Sequence, residues 1–255
     1  MALSLALVGD FVLIMVRTMA WLYAAPVFSD RGFSNVARLT TALSLSFFLT
    51  PLLSTGQVNP QSATLGGFVL LAAGQIASGL VLGWVASVLL AAFEAAGHHI
   101  DLMSGFSMSS LLDPQSGNQA AVFSRFTRVL FVTLLFATGA HHELIRGFVL
   151  SFQVAPLDAL PQFNFDVRGA LELVSTMMVA SVQIAAPVLG ALFLTEVTLA
   201  MAQRFAPNTN VFMLGLSVKS LMTLTLMGGA LAFYPMYLER LVTLSLDAGS
   251  TMLGG

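Results

Sequence analysis

Two adjacent histidine pairs, His98-His99 and His141-His142, are the side chains in this sequence best suited to metal or acid–base chemistry. Glu94, His98 and Asp101 follow one another at i, i+4 and i+7, so they share one helix face, and carboxylate with imidazole at that spacing suits a divalent cation. The same residues also fit a polar stripe where a helix leaves an apolar layer. The second pair lies in Gly139-Ala140-His141-His142-Glu143 and reads as a wet helix break. No metal site and no cofactor are assigned. Arg17, Glu196, Arg204 and Lys219 are charges set within apolar stretches, where an ionisable group is costly and marks function or a structural pair. Arg204 precedes Pro207 and complements a helix C-terminus, and Lys219 is positioned to pair with Glu196 across the Pro207 turn as structural glue. A proton relay needs a run of titratable groups, and none is continuous here. No Walker, Rossmann or His-Glu-x-x-His pattern occurs, and Ser104-Gly105-Phe106-Ser107 lacks the Gly-x-Ser-x-Gly spacing of a nucleophile elbow, so the reading is non-enzymatic.

These residues are carried by an unusually apolar chain. Of 255 residues, 57% are hydrophobic and 9% charged, against about 25% charged in soluble domains, and the mean hydropathy is +0.88. Such a chain cannot cover a soluble monomer with polar side chains and is read as an integral membrane protein or a subunit of an apolar assembly. A net charge of −2 gives no case for nucleic acid, and the absence of cysteine removes disulfides and thiolate chemistry. Asp10 and Arg17 interrupt the first apolar run, and a basic leader is missing, so that run reads as a retained helix rather than a signal peptide.

The elements are all helical: apolar segments at about 3–25, 36–53, 65–103, 118–152, 168–203 and 211–246. A span needs about 20 residues, and the segment at 65–103 would run about 58 Å as one helix, against about 30 Å of hydrocarbon. The long segments must therefore kink, tilt or project. The kink candidates are Gly139, Pro187 with Gly190, and Gly228-Gly229 with Pro235. Residues 154–166, with Pro156, Pro161 and Asn164, read as a solvent-facing turn. Gly79 and Gly83 form a small-xxx-small pair that fits either an internal hairpin contact or a contact with another subunit. The ten basic residues are scattered, so the positive-inside rule has little to act on.

One connection breaks the pattern. Residues 104–119 mix Phe106, Met108, Leu111 and Leu112 with serines, glycines and the Asp113-Pro114 step. Irregular backbone in a membrane protein is tolerated where it is buried in protein or lines a wet cavity. A Met and Phe cluster at a constriction would seal against water yet yield to a passing chain.

Three stretches together resemble the FliR/SctT export-gate family of type III secretion: Arg17 through Pro26 to Phe28; Met103 through Asp113-Pro114 to Gly117; and Glu196 followed by Arg204, Pro207, Asn210-Val211-Phe212 and Lys219. The Asp113-Pro114-Gln115-Ser116-Gly117 form is closer to the flagellar branch than to the virulence branch. The resemblance implies an all-α fold of membrane-type kinked helical hairpins, a FliP-like part over about 1–165 followed by a FliQ-like part over about 166–255, within one export-gate subunit. It implies FliP-like, FliQ-like and FlhB-like partners, unfolded export polypeptides as cargo, and a multi-pass place in the bacterial inner membrane at the flagellar basal body. It also implies that Gly105, Phe106, Ser107, Met108, Leu111, Leu112, Asp113 and Pro114 belong to a loop that helps close the pore. The alternatives are a virulence export-gate subunit or a stand-alone polytopic transporter or ion channel with a mid-membrane site.

Overall fold

The computed structural model describes residues 2–26, 28, 34–54, 64–106, 121–160, 167–205 and 211–253. Among them are eight helices: α1 Ala2–Ala24, α2 Asn35–Leu53, α3 Leu65–Ser104, α4 Val122–Ala137, α5 Ala140–Val154, α6 Val167–Phe205, α7 Val211–Ala230 and α8 Tyr234–Met252. The described residues are all-α, as the apolar pattern required. Four helices are long and apolar enough to cross a membrane, or six if each bent pair, α4 with α5 and α7 with α8, counts as one span. Helices α3 and α6 have 40 and 39 residues, about 60 Å each at 1.5 Å per residue, twice the thickness of a bilayer core.

Two of the three kink candidates are helix breaks, and each follows local chemistry. Between α4 and α5, Gly139 takes φ +77°, a left-handed turn that a side chain disfavours. Between α7 and α8 the chain turns through 64° just after Gly228-Gly229, and Pro235 sits in the first turn of the new helix, where its missing N–H costs nothing. At the third kink candidate, Pro187, helix α6 is continuous. Ile184, Ala185 and Val188 around it are wholly buried, so packing holds the helix where the proline removes one backbone bond.

The chain divides into two compact units interleaved along the sequence, residues 1–89, 140–173 and 242–255 in one and 90–139 with 174–241 in the other, with α3, α6 and α8 contributing to both. In the first, α1 packs on α2, and the core is aromatic: Trp21 stacks on Phe148 at 4.7 Å, and Phe148 meets Phe152 edge-on at 5.4 Å. Gly79 and Gly83 face α1 of the same chain. A methyl group at Gly79 would lie 2.5 Å from the Arg17 carbonyl oxygen, and one at Gly83 would collide with Ala24. The small-xxx-small pair is thus an internal helix contact. In the second unit, the buried Phe93 ring meets Phe131 at 5.1 Å and Tyr234 at 6.1 Å.

Arg17 is the largest wholly buried side chain of the first unit. Its guanidinium donates to the Ala155 carbonyl at 2.7 Å and to Ser151 Oγ at 3.3 Å, and lies 4.2 Å above the Phe152 ring. Carbonyls at a helix C-terminus lack intrahelical partners and carry the negative end of the dipole, so a cation from α1 caps α5. Gln75 of α3 donates to the next carbonyl, Pro156, at 3.3 Å. The 154–166 connection is consequently not solvent-facing at its start: Ala155 is buried against Arg17, and exposure begins beyond it.

Candidate functional site

The described part of the candidate site is the helical stem that carries the unusual 104–119 connection. The last four turns of α3 and the first four of α4 run antiparallel in the second unit. Their register can be read contact by contact. Phe93 packs on Phe131. Glu94 forms an ion pair with Arg128 at 3.1 Å. Gly97 lets the backbone at Phe123 and Ser124 approach so closely that a methyl group would meet both at 2.6 Å. Ser124 Oγ donates to the Glu94 carbonyl at 3.3 Å. At the open end, the Phe106 ring meets Phe123 edge-on at 5.3 Å.

The strongest polar contact of the stem is made by Asp101. Its side chain is 1% exposed, and its two carboxylate oxygens each accept a backbone N–H at 2.9 Å, from Phe123 and from Ser124. The N-cap position of α4 is Ala121, which has no side-chain oxygen to offer. The first N–H groups of a helix need acceptors, and here Phe123, Gly97 and Thr127 are buried beside them. Asp101 supplies the missing cap from the other helix, where a carboxylate also complements the positive end of the α4 dipole. Hydrogen bonds to a charged group contribute about 1.5–3 kcal/mol each, whereas the half-exposed Glu94–Arg128 pair contributes about 0–1 kcal/mol. Asp101 therefore dominates the stem.

This arrangement dissolves the shared-face reading of Glu94, His98 and Asp101. Glu94 is committed to Arg128 and Asp101 to α4, while His98 points to the surface. His99 Nε2 lies 3.4 Å from Ser181 Oγ, joining α3 to α6. Among the described residues no group of three His, Asp or Glu is arranged to hold a metal ion.

Gly105 takes φ +85°, and a methyl group there would lie 2.9 Å from Leu216 Cδ1. The glycine ends α3 and lets the chain turn beneath α7. Phe106 is half-buried. Ser107, Met108, Leu111, Leu112, Asp113 and Pro114 lie outside the described residues, as do Pro207 and Asn210. Phe212 is in the first turn of α7 and Arg204 in the last turn of α6. Lys219 Nζ lies 3.1 Å from Glu196 Oε1, with the lysine 16% and the glutamate 56% exposed. Pro26 is buried at the end of α1, and the Phe28 carbonyl accepts from Arg38 Nε at 2.7 Å while its ring lies 6.0 Å from Trp21.

Asp101, Gln75 and Arg38 are the residues that sequence reasoning missed as organisers. Their partners lie 22, 81 and 10 residues away. Only for Asp101 was there a local signal: an uncapped helix start at Ala121-Val122, which calls for an acceptor from elsewhere.

The family model described as bacterial export proteins, family 1, matches residues 8–245. Flagellar biosynthetic protein FliR of Bacillus subtilis (strain 168) is 32% identical over 214 residues, which cover 82% of this chain and 81% of that protein. Flagellar biosynthetic protein FliR of Escherichia coli K12 is 25% identical over 228 residues, 89% of this chain and 86% of that protein. Yop proteins translocation protein T of Yersinia pestis is 30% identical over 220 residues, 82% of this chain and 81% of that protein.

Proposed function

This chain belongs to family 1 of the bacterial export proteins, and from that premise we propose that it is the FliR-type core subunit of a flagellar type III protein export gate. The observation that carries the reading is the match of one export family across residues 8–245, nearly the whole chain. With FliP-like and FliQ-like subunits, and an FlhB-like subunit associated, it forms the channel through which unfolded polypeptides cross the bacterial inner membrane at the flagellar basal body. A FliP-like part over about 1–165 and a FliQ-like part over about 166–255 supply the two kinds of hairpin. Two physical features support an assembly over a solitary subunit. The helices α3 and α6 are about twice as long as a bilayer core, and large apolar side chains remain exposed along α6 and α7, among them Leu194, Met201, Leu221 and Leu224.

The channel needs no catalyst. A chain in transit presents every kind of side chain, so the wall is best made of small and flexible residues with few charges. At rest an apolar constriction stops ions by dewetting. We assign that constriction to residues 105–114, with Phe106, Met108, Leu111 and Leu112 as the seal and Gly105 with Asp113-Pro114 as the backbone turns. Arg17, Pro26, Phe28, Arg204, Pro207, Asn210 and Phe212 are read as structural positions of the family pattern. Glu196 and Lys219 are read as a structural pair.

Copurification tests the assembly: the tagged chain is expected to bring down two different small membrane proteins, and a monomer or a symmetric homo-oligomer would instead favour a stand-alone transporter. Deleting residues 106–112 tests the seal. Ion leakage is expected to rise while the assembly is recovered intact, and leakage at the wild-type level in an intact assembly would remove the assignment. The match to Yop proteins translocation protein T keeps a virulence role as the second reading. Loss of motility on gene deletion is expected for the flagellar role, and retained motility would favour the other.

A further inference from the structure

We propose that a cavity between α3, α5 and the end of α8 is the socket for a lysine side chain of another subunit, with the Asp247 carboxylate as its anion. The proposal rests on the reading of the chain as a subunit of an assembly, and adds to it the place and chemistry of one contact. The cavity lies wholly within the first unit and measures about 230 Å³. A methyl group at Gly249 would lie 3.2 Å from Leu82 Cδ2, and one at Gly147 would collide with the Leu246 side chain, so α8 packs closely on both α3 and α5. Trp21, stacked on Phe148, forms an apolar wall with Leu82 and Leu144. Asp247 and Ser250 are exposed and mark the opening.

The polar side chains of the lining are acceptors. Ser151, Ser245 and Ser250 each donate their hydroxyl hydrogen to a carbonyl of their own helix, at 2.6, 2.7 and 2.9 Å. The Asp247 carboxylate makes no ion pair among the described residues, and none of the lining side chains is basic. Apolar walls with acceptors alone select a cationic donor on an apolar stem. Lysine has that form: three N–H donors, no acceptor and a flexible four-carbon stem that lies along apolar surface. The space suffices, since a cavity of about 150 Å³ already takes a benzene-sized molecule. An aminolipid is a poorer occupant, because its phosphate would meet the carboxylate with no basic lining side chain to receive it. The chain has a single lysine, Lys219, which is paired with Glu196 in the other unit, so the occupant comes from another chain. A charge pair at the rim of such a contact fixes register and partner choice more than affinity.

Carbodiimide coupling of the complex purified with its partner subunits tests the socket. Two reagents are used, a water-soluble one and dicyclohexylcarbodiimide, which enters apolar sites. The activated Asp247 carboxyl is expected to condense with a lysine Nζ of a different subunit, forming one amide with loss of one water, and mass spectrometry of the digest identifies both residues. The crosslink is expected to vanish in Asp247→Asn. Ala86→Leu adds carbons to the cavity wall while leaving the carboxylate in place, and is expected to bring the crosslink down to the Asp247→Asn level. Should that variant not be recovered in the complex, Ser250→Leu at the exposed opening decides the same point.

Absence of coupling at Asp247 in an intact complex overturns the proposal and leaves the assembly reading standing. A tagged chain that brings down no other subunit removes the assembly reading and the socket with it. Coupling to a lipid amine overturns the proposal by giving the carboxylate a different occupant, and coupling to Lys219 does so too. Undiminished coupling in the filled variant overturns it as well, because Asp247 would then be a surface charge without a socket.

Discussion

At the scale of single residues, the informative side chains are the buried charged ones, because each must be met by a partner or pay for desolvation. Arg17 has found backbone and aromatic partners: the Ala155 carbonyl, Ser151 and the Phe152 ring. Arg17→Ala is expected to lower stability by about 3 kcal/mol, from the lost charge-assisted bonds and the desolvated cation–π contact. Arg17→Lys should recover only part of this, since an ammonium on a flexible stem does not reproduce the guanidinium fork. Thermal unfolding of the purified protein in detergent checks both, and an unchanged melting temperature for Arg17→Ala would remove Arg17 as the tie between α1 and α5. Glu196 and Lys219 behave differently because the glutamate is more than half exposed. Glu196→Gln is expected to cost about 1 kcal/mol by stranding the less exposed ammonium. In a double-mutant cycle with Lys219→Met the two effects should not add, whereas additive effects would show that the pair is not coupled.

At the scale of helices, contact is decided by where a backbone has room. Gly79 and Gly190 look alike in sequence but have opposite surroundings. A methyl group at Gly79 would press on the α1 backbone at Arg17 O, a neighbour that cannot rotate away. Gly79→Ala is therefore expected to destabilise by about 1–3 kcal/mol through forced separation of α1 and α3. Around Gly190 nothing lies within 4 Å, so Gly190→Ala should stabilise α6 by about 0.4–1 kcal/mol by restricting the unfolded chain. Unfolding midpoints of the two variants, measured side by side, check the contrast, and the same sign for both would contradict it. The helix breaks follow the same logic. Gly139 and the Gly228-to-Pro235 stretch interrupt helices because their local conformations cannot continue, whereas Pro187 does not interrupt α6 because its neighbours are buried.

At the scale of the whole molecule, much apolar surface is left uncovered. Only 22% of the most apolar window of α2 and 33% of that of α6 are buried. Contiguous apolar surface of this kind is stable only against lipid or protein. Without partner subunits the chain is expected to turn over faster in the cell, and coexpression with them should lengthen its half-life, since binding to the folded state stabilises by mass action. A pulse-chase comparison checks this. Equal half-lives would mean that lipid alone satisfies the exposed faces.

Composition and local breaker chemistry suffice to determine the membrane class, the helix segments and the two helix breaks, because transfer free energy and backbone dihedral preference act on residues close in sequence. The ordered motifs from Arg17 to Lys219 suffice for the family. The pairing of distant polar groups was open in the sequence. Glu94, His98 and Asp101 had the spacing of a ligand set, and Gly79 with Gly83 fitted a contact inside or outside the chain equally well. Packing decided both: α4 arrives beside α3 with its amides uncapped and takes Asp101, and α1 fills the groove over the two glycines. The physical reason is range. A helix start or a kink is fixed within a few residues, while the acceptor for a buried donor is whichever group the fold carries to it, here across 22 residues for Asp101 and 138 for Arg17.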